Sequence, residues 1–143
     1  MRQLPAVSVQ RRSAYRPRVR PVPDNVLICD DNRQVRDLIA VVLGSESYRL
    51  RHAADGQAAL NALAEDPADL VILDLHVPGI DGLAILQTIR SDPALAGTRV
   101  LLVTGDSAAL EADWGRQQGA DAHLSKPFTL DALKDTVRAL LTR

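Results

Sequence analysis

Residues 70–82 read Leu70-Val71-Ile72-Leu73-Asp74-Leu75-His76-Val77-Pro78-Gly79-Ile80-Asp81-Gly82. Four apolar residues run straight into an aspartate, and a short loop with one proline and two glycines follows. A continuous apolar run of this length, bounded by turn residues, predicts a strand buried on both faces. Such strands belong to open parallel sheets, whose ligands bind outside the carboxyl ends of the strands. Asp74 stands at such an end. Taken alone, it reads equally well as a loop carboxylate or a helix cap. Its meaning depends on what the other strand ends carry.

Upstream, Val26-Leu27-Ile28-Cys29 is a second buried strand and ends in Asp30-Asp31. Asn32 is placed to cap a helix bearing Val35, Leu38, Ile39, Val42 and Leu43 at helical spacing, as far as Gly44. Tyr48 to His52 predicts a more polar strand, suited to a sheet edge. Asp55 opens a short Ala-rich helix with Leu60 and Leu63, ended by Asp66-Pro67. Downstream, Leu83 to Arg90 predicts a helix stopped by Asp92-Pro93. Arg99 to Val103 predicts a strand ending in Thr104-Gly105, and Ala108 to Gln118 a helix. Ala120 to Leu124 predicts a short strand ending in Ser125-Lys126-Pro127. Thr129 caps a last helix with Leu130, Leu133, Val137, Leu140 and Leu141 on one face.

Five strands alternating with five helices predict an α/β fold: a doubly wound (βα)5 unit with a five-stranded parallel sheet, helices on both faces and right-handed crossovers. For a chain this short the expected strand order is 2-1-3-4-5. Strands 1 and 3 are then neighbours whose connections leave in opposite directions, and the crevice between their ends holds Asp30, Asp31 and Asp74.

A length of 143 residues suits one domain. Apolar residues make up 46% and aromatics 3%, so the core is aliphatic. The single cysteine, Cys29, has no internal disulfide partner, and no Cys/His spacing resembles a zinc site. Its place within an apolar run predicts a small buried thiol. No apolar stretch approaches the ~18 residues of a membrane span, and no signal-peptide core is present. The expectation is a soluble, cytoplasmic protein. The net charge of −1 is unevenly spread. Residues 1–23 hold four prolines, no acid and six arginines: Arg2, Arg11, Arg12, Arg16, Arg18 and Arg20. The other 120 residues hold 11 basic and 18 acidic side chains, a net of −7. Residues 1–23 are therefore expected to be a disordered tail, with residues 24–143 forming the domain. The tail reads as a solvated extension, as a basic arm for nucleic acid or an acidic partner, or as a targeting peptide whose prolines spoil an amphipathic helix.

Three carboxylates converging in one crevice repel each other; two charges ~4 Å apart cost about 4 kcal/mol at an effective dielectric near 20. A cation relieves this, and an all-oxygen site with room for water suits Mg²⁺. Acids before a helix can also be simple dipole partners, which accounts for one of the pair Asp30-Asp31 but not for both together with Asp74. Lys126 ends the fifth strand in a chain with two lysines and 15 arginines. The other, Lys134, falls within the last helix and reads as a solvated residue. An ammonium at the strand-end face suits a phosphate oxygen or a carboxylate. Thr104 ends the fourth strand and offers a hydroxyl, a feature that is often only a local backbone partner. Asp74 as nucleophile, a divalent metal on Asp31 and Asp74, Lys126 and Thr104 are together the parts needed to place a phosphoryl group on an aspartate.

From about Asn25 to Thr142 the chain resembles a response-regulator receiver domain of bacterial two-component signalling. The matching pieces are Cys29-Asp30-Asp31-Asn32, the run Leu73 to Gly82, Val103-Thr104-Gly105, and Gly119-Ala120-Asp121 leading to Leu124-Ser125-Lys126-Pro127-Phe128. Each is weak alone; all four, in order and at the right strand ends, are specific. The resemblance implies that Asp74 is the phosphoacceptor. Asp31 would ligate Mg²⁺ (or Mn²⁺) directly, with the His76 backbone carbonyl, and Asp30 would act through a water. Thr104 would hydrogen-bond the phosphoryl group, Lys126 would pair with its oxygens, and the Lys126-Pro127 peptide would be cis. His76 and Asp106 would flank the phosphoryl group. Two positions depart from the family pattern: Val77 stands where Met is usual, and His123 where Tyr or Phe is usual. His123 reads either as a tolerated switch residue or as a weakened, pH-sensitive one.

The implied function is a phosphoacceptor switch that acts stand-alone and is not a conventional enzyme. It would be charged by a sensor histidine kinase or a phosphotransfer protein. It would control a downstream effector through its helix 4–strand 5–helix 5 surface, where a homodimer could also form and where Trp114 could lie. Nucleic-acid binding would be confined to the arginine-rich tail. Two rival classes remain. A pseudo-receiver would bind partners without phosphorylation, but such domains usually lose an acid, the Thr or the Lys. A Mg²⁺-dependent aspartyl-phosphate hydrolase would carry a second Asp where His76 stands.

Overall fold

Leucine, valine and isoleucine runs form the three central strands, and the alternation along each of these divides the core in two. The computed structural model describes residues 24–105 and 114–142. The tail arginines, Asp106, and the start of the expected fourth helix lie outside the described residues. The strands are β1 (Asp24–Cys29), β2 (Tyr48–Ala53), β3 (Leu70–Leu73), β4 (Arg99–Thr104) and β5 (Ala122–Ser125). They form one parallel sheet in the order β2-β1-β3-β4-β5, as the alternation of elements predicts.

The helices are α1 (Arg33–Leu43), α2 (Gly56–Glu65), α3 (Gly82–Ser91), α4 (Trp114–Gln117 in its described part) and α5 (Leu130–Leu141), with a 3₁₀ turn at Pro93–Leu95. Polar side chains start most of them by accepting from backbone N–H groups left unpaired at a helix start. Asn32 accepts from Gln34 and Val35, Asp55 from Ala58, Asp81 from Ala84 and Thr129 from Ala132. Leu27, Cys29, Val71, Leu73, Val100 and Leu102 face the layer that includes Ala59, Leu63, Ile85, Leu86 and Ile89 of α2 and α3. Val26, Ile28, Leu70, Ile72, Leu101 and Val103 face Ile39, Leu43, Leu133 and Val137 of α1 and α5. Side chains alternate across a strand, so consecutive apolar residues feed both cores.

The polar strand Tyr48–Ala53 does lie at an edge. Charged residues there oppose pairing with another chain. Arg51 instead reaches inward, donating to the Asn25 side chain and to the carbonyls of Ala62 and Asp66 at the end of α2.

The fifth strand is shifted from the expected 120–124 to Ala122–Ser125. Gly119 takes a φ of +104°, a conformation open to glycine, and turns the chain so that Ala120 plugs the α2/α3 core. Asp121 is then used as a bracket. Its N–H donates to the Val100 carbonyl, while its carboxylate accepts from Val100 N–H and from Arg90.

Ile72 sits at the middle of the sheet and is 1% exposed. Ile72→Ala should destabilise the domain by about 3 kcal/mol through lost burial and the cavity left behind. Urea unfolding of the two proteins, compared by midpoint at equal slope, checks this.

Candidate functional site

Register brings the chemistry together. Cys29 lies opposite Leu73 in the β1–β3 ladder, so the next residue on each strand, Asp30 and Asp74, emerges at the same level. Backbone bonds carry the ladder one step into the loops: Asp30 N–H donates to the Ala53 carbonyl (3.1 Å) and Asp74 N–H to the Cys29 carbonyl (3.0 Å). On the far side, Thr104 pairs with Ser125, and Lys126 N–H donates to the Thr104 carbonyl (3.0 Å).

Both carboxylates are buried and each is held on two sides. Asp30 accepts from Asn32 N–H (2.9 Å) through Oδ1 and from Lys126 Nζ (2.6 Å) through Oδ2. Asp74 accepts from His76 N–H (3.0 Å) through Oδ1 and from Lys126 Nζ (2.8 Å) through Oδ2. Asp31 is exposed, yet one carboxylate oxygen from each of Asp30, Asp31 and Asp74 lies within 4.8 Å of the others. Three carboxylates against one ammonium leave two negative charges to be met. The donors are hard oxygens and one side of the cluster opens to solvent. This set fits Mg²⁺ or Mn²⁺, which take carboxylate ligands and keep waters.

The field of the cluster shows in its neighbours. Burial pushes the Cys29 thiol up to about 12, and the charges of Asp30, Asp74 and Asp55 add to it. That keeps the thiol neutral and unreactive. For Lys126, burial pulls towards the neutral amine, but hydrogen bonds to Asp30 and Asp74 and their charges outweigh it, so its pKa is raised above 10.5.

Thr104 is fully buried at the end of β4. His76 is exposed and contributes its backbone N–H to Asp74. His123 is exposed on β5, opposite Leu102 and two residues before the Thr104–Ser125 pair. Its neighbours Ala122 and Leu124 pack on the α1/α5 core. The Lys126-Pro127 peptide is cis, as expected. Trp114 is half-buried against the α2/α3 core and borders a cavity of about 320 Å³ with Leu75, His76, Asp81 and Leu83.

Two supporting residues were not legible in the sequence as part of the site. Arg36 donates to the Asp30 carbonyl at 2.6 Å. In the sequence it is one more charged position on an amphipathic helix. Gly82 reads as turn punctuation, but a Cβ there would run into the Leu75 backbone, and its N–H donates to the Leu75 carbonyl (2.9 Å). The residue's smallness lets α3 press against the loop that carries Asp74.

A doubly wound parallel sheet with an acid cluster and a lysine at its carboxyl edge has its charged groups in the crevice where open α/β sheets bind their ligands. The family model for the response regulator receiver domain matches residues 26–138. The response regulator MprA of Mycolicibacterium vanbaalenii is 36% identical over 122 residues, covering 85% of this chain and 52% of that protein. The chemotaxis response regulator CheY4 of Vibrio cholerae superposes with a TM-score of 0.77 at 27% identity, covering 84% of this chain and 100% of that one. The receiver domain of NtrX from Brucella abortus gives a TM-score of 0.72 at 33% identity, covering 81% and 97%. The chain belongs to the response regulator receiver domain family. Members of that family are signalling switches of two-component systems rather than conventional enzymes. The chain spans about half the length of the curated relatives it matches. No helix among the described residues is long and apolar enough to cross a membrane.

The lysine bridge makes a pH prediction. A group whose pKa is raised by folding adds stability that is complete below its unfolded value and is lost as pH rises through its folded value. Wild type should therefore lose stability relative to Lys126→Met as pH climbs above 10.5. Matched unfolding curves between about pH 8 and pH 12 read the difference.

Proposed function

We propose that this domain is a phosphorylation-controlled switch in which Asp74 accepts a phosphoryl group. The observation that carries the reading is the convergence of Asp30, Asp31 and Asp74, two of which, Asp30 and Asp74, share Lys126 Nζ. Asp31 and Asp74, the His76 carbonyl and, through a water, Asp30 would hold Mg²⁺ or Mn²⁺. The bound ion supplies positive charge for the phosphoryl oxygens.

The chemistry asked of the side chains is modest. A carboxylate oxygen of Asp74 attacks phosphorus in line with the leaving group. For a phosphohistidine donor the new P–O bond forms as the P–N bond breaks, and the imidazole keeps the electron pair. Asp74 is pointed by His76 N–H and Lys126, so little reorganisation precedes attack. Lys126 then turns its ammonium from the carboxylate to the phosphoryl oxygens. Thr104 follows by donating its hydroxyl to the phosphoryl group, and the change passes to the surface near α4, β5 and α5, where His123 lies. A modification acts this way when it biases an element with two arrangements.

The phosphoryl donor is a sensor histidine kinase or a phosphotransfer protein in the cytoplasm, and the receiver of the signal is a protein effector. The switch unit is residues 24–143. Residues 1–23 are a separate basic tail, the one part of the chain whose charge favours a nucleic acid, because the −7 of the remainder repels phosphate backbones.

Incubation with Mg²⁺ and acetyl phosphate should add about one phosphoryl mass per chain. Intact mass measurement should show the gain in wild type and none in Asp74→Asn or in EDTA. A wild type that gains nothing while binding Mg²⁺ would overturn the reading in favour of a phosphorylation-independent interaction module.

A further inference from the structure

The three acids of the cluster are not held alike. Asp30 and Asp74 each have two side-chain hydrogen bonds that fix the carboxylate. Asp31 is exposed, and its carboxylate makes no hydrogen bond or ion pair among the described residues. What the fold fixes for Asp31 is therefore the backbone that carries it, and the peptide joining Asp30 to Asp31 is the part that matters. That peptide's carbonyl accepts from Arg36 at 2.6 Å.

Arg36 is well placed to be a clamp. It lies in the first turn of α1, and its own N–H donates to the Asn32 carbonyl (3.1 Å). The side chain runs back along the turn to Asp30. The segment Asp30-Asp31-Asn32 is thereby held by three bonds: Asp30 N–H to Ala53, Asn32 N–H to the Asp30 carboxylate, and Arg36 to the Asp30 carbonyl. The guanidinium is half-buried, and its Nε is buried with no hydrogen-bond partner among the described residues. An unpaired buried donor is costly, and the hydrogen bond from the guanidinium to the Asp30 carbonyl is what offsets that cost. A planar, permanently charged fork fixes the plane of a carbonyl better than a rotating ammonium does.

We propose that Arg36 is a positioning residue for the metal site: by clamping the Asp30–Asp31 peptide it aims the Asp31 carboxylate at the position between Asp30 and Asp74. This rests on the reading above that Asp31 binds Mg²⁺. Groups that orient metal ligands without touching the metal commonly change its affinity by one to two orders of magnitude.

The test uses Mg²⁺ alone, added to the full chain, with backbone ¹⁵N–¹H shifts as the readout. Wild type, Arg36→Met, Arg36→Lys and Asp31→Asn are titrated, and thermal unfolding without Mg²⁺ is recorded for each. Arg36→Met keeps the apolar stem but removes charge and donor. It should raise the Mg²⁺ Kd about tenfold or more, with metal-free shifts confined to Asp31, Asn32 and their neighbours. Arg36→Lys, which restores the charge without the fork, should recover part of the affinity. An Arg36→Met protein that is folded and binds Mg²⁺ as wild type does would overturn the proposal, even if it melts earlier. If Arg36→Met does not fold, Arg36→Lys decides in the same way. Wild type without saturable Mg²⁺ shifts, or Asp31→Asn that keeps them, would remove the metal reading and Arg36's role with it. Unchanged Arg36 variants beside a normal wild type and a silent Asp31→Asn remove the role of Arg36 alone.

Discussion

One ammonium group joined to two carboxylates ties the carboxyl edge of the sheet together. Lys126 follows β5, Asp30 follows β1 and Asp74 follows β3, and the Nζ atom reaches both acids within 2.8 Å. Asp30 and Asp74 are almost entirely out of water, where two like charges at close range are costly without a partner. The lysine ammonium offsets that cost for both carboxylates at once. Lys126 in turn depends on the β4–β5 ladder and on its own N–H bond to the Thr104 carbonyl. Three strands must end level for the bridge to exist.

Level ends come from the core. All four residues of β3 are buried, and the layers on its two faces share no side chain. A slip of one residue in β1 against β3 would move every side chain to the wrong face. The register that aligns Asp30 with Asp74 is thus enforced by apolar packing several residues away. The loop after Asp74 is fixed by different means: Gly82 allows backbone to approach backbone, and the Leu75 carbonyl is tied to its N–H. Rigid placement of Asp74 and a solvent-open side at Asp31 are compatible because separate groups provide them.

The same edge holds an imbalance that a switch can use. Lys126 is shared between two acids, and each of these also accepts from a backbone N–H, so neither is held by the ammonium alone. Thr104 and Lys126 are linked through backbone, which ties together the ends of β4 and β5, the strand that carries His123. Coupling of this kind needs two discrete arrangements of packed groups, and the end of a strand is a place where few contacts must be exchanged.

Sequence alone was enough for the sheet, its strand order and the polar edge strand, because apolar runs, helix caps and turn residues are local and repeat five times. It was enough for the acids and the lysine of the site, because each stands at the end of a recognisable strand. The start of β5 was misplaced by two residues, since a left-handed glycine and the plugging of the core by Ala120 are decided by packing, not by local pattern. Arg36 and Gly82 were also out of reach. An arginine that clamps a carbonyl and an arginine in water have the same spacing in a helix, and a glycine that admits backbone looks like any turn glycine. Which oxygen faces which nitrogen was decided only when the chain closed on itself and brought residues 30, 74 and 126 to within hydrogen-bond distance.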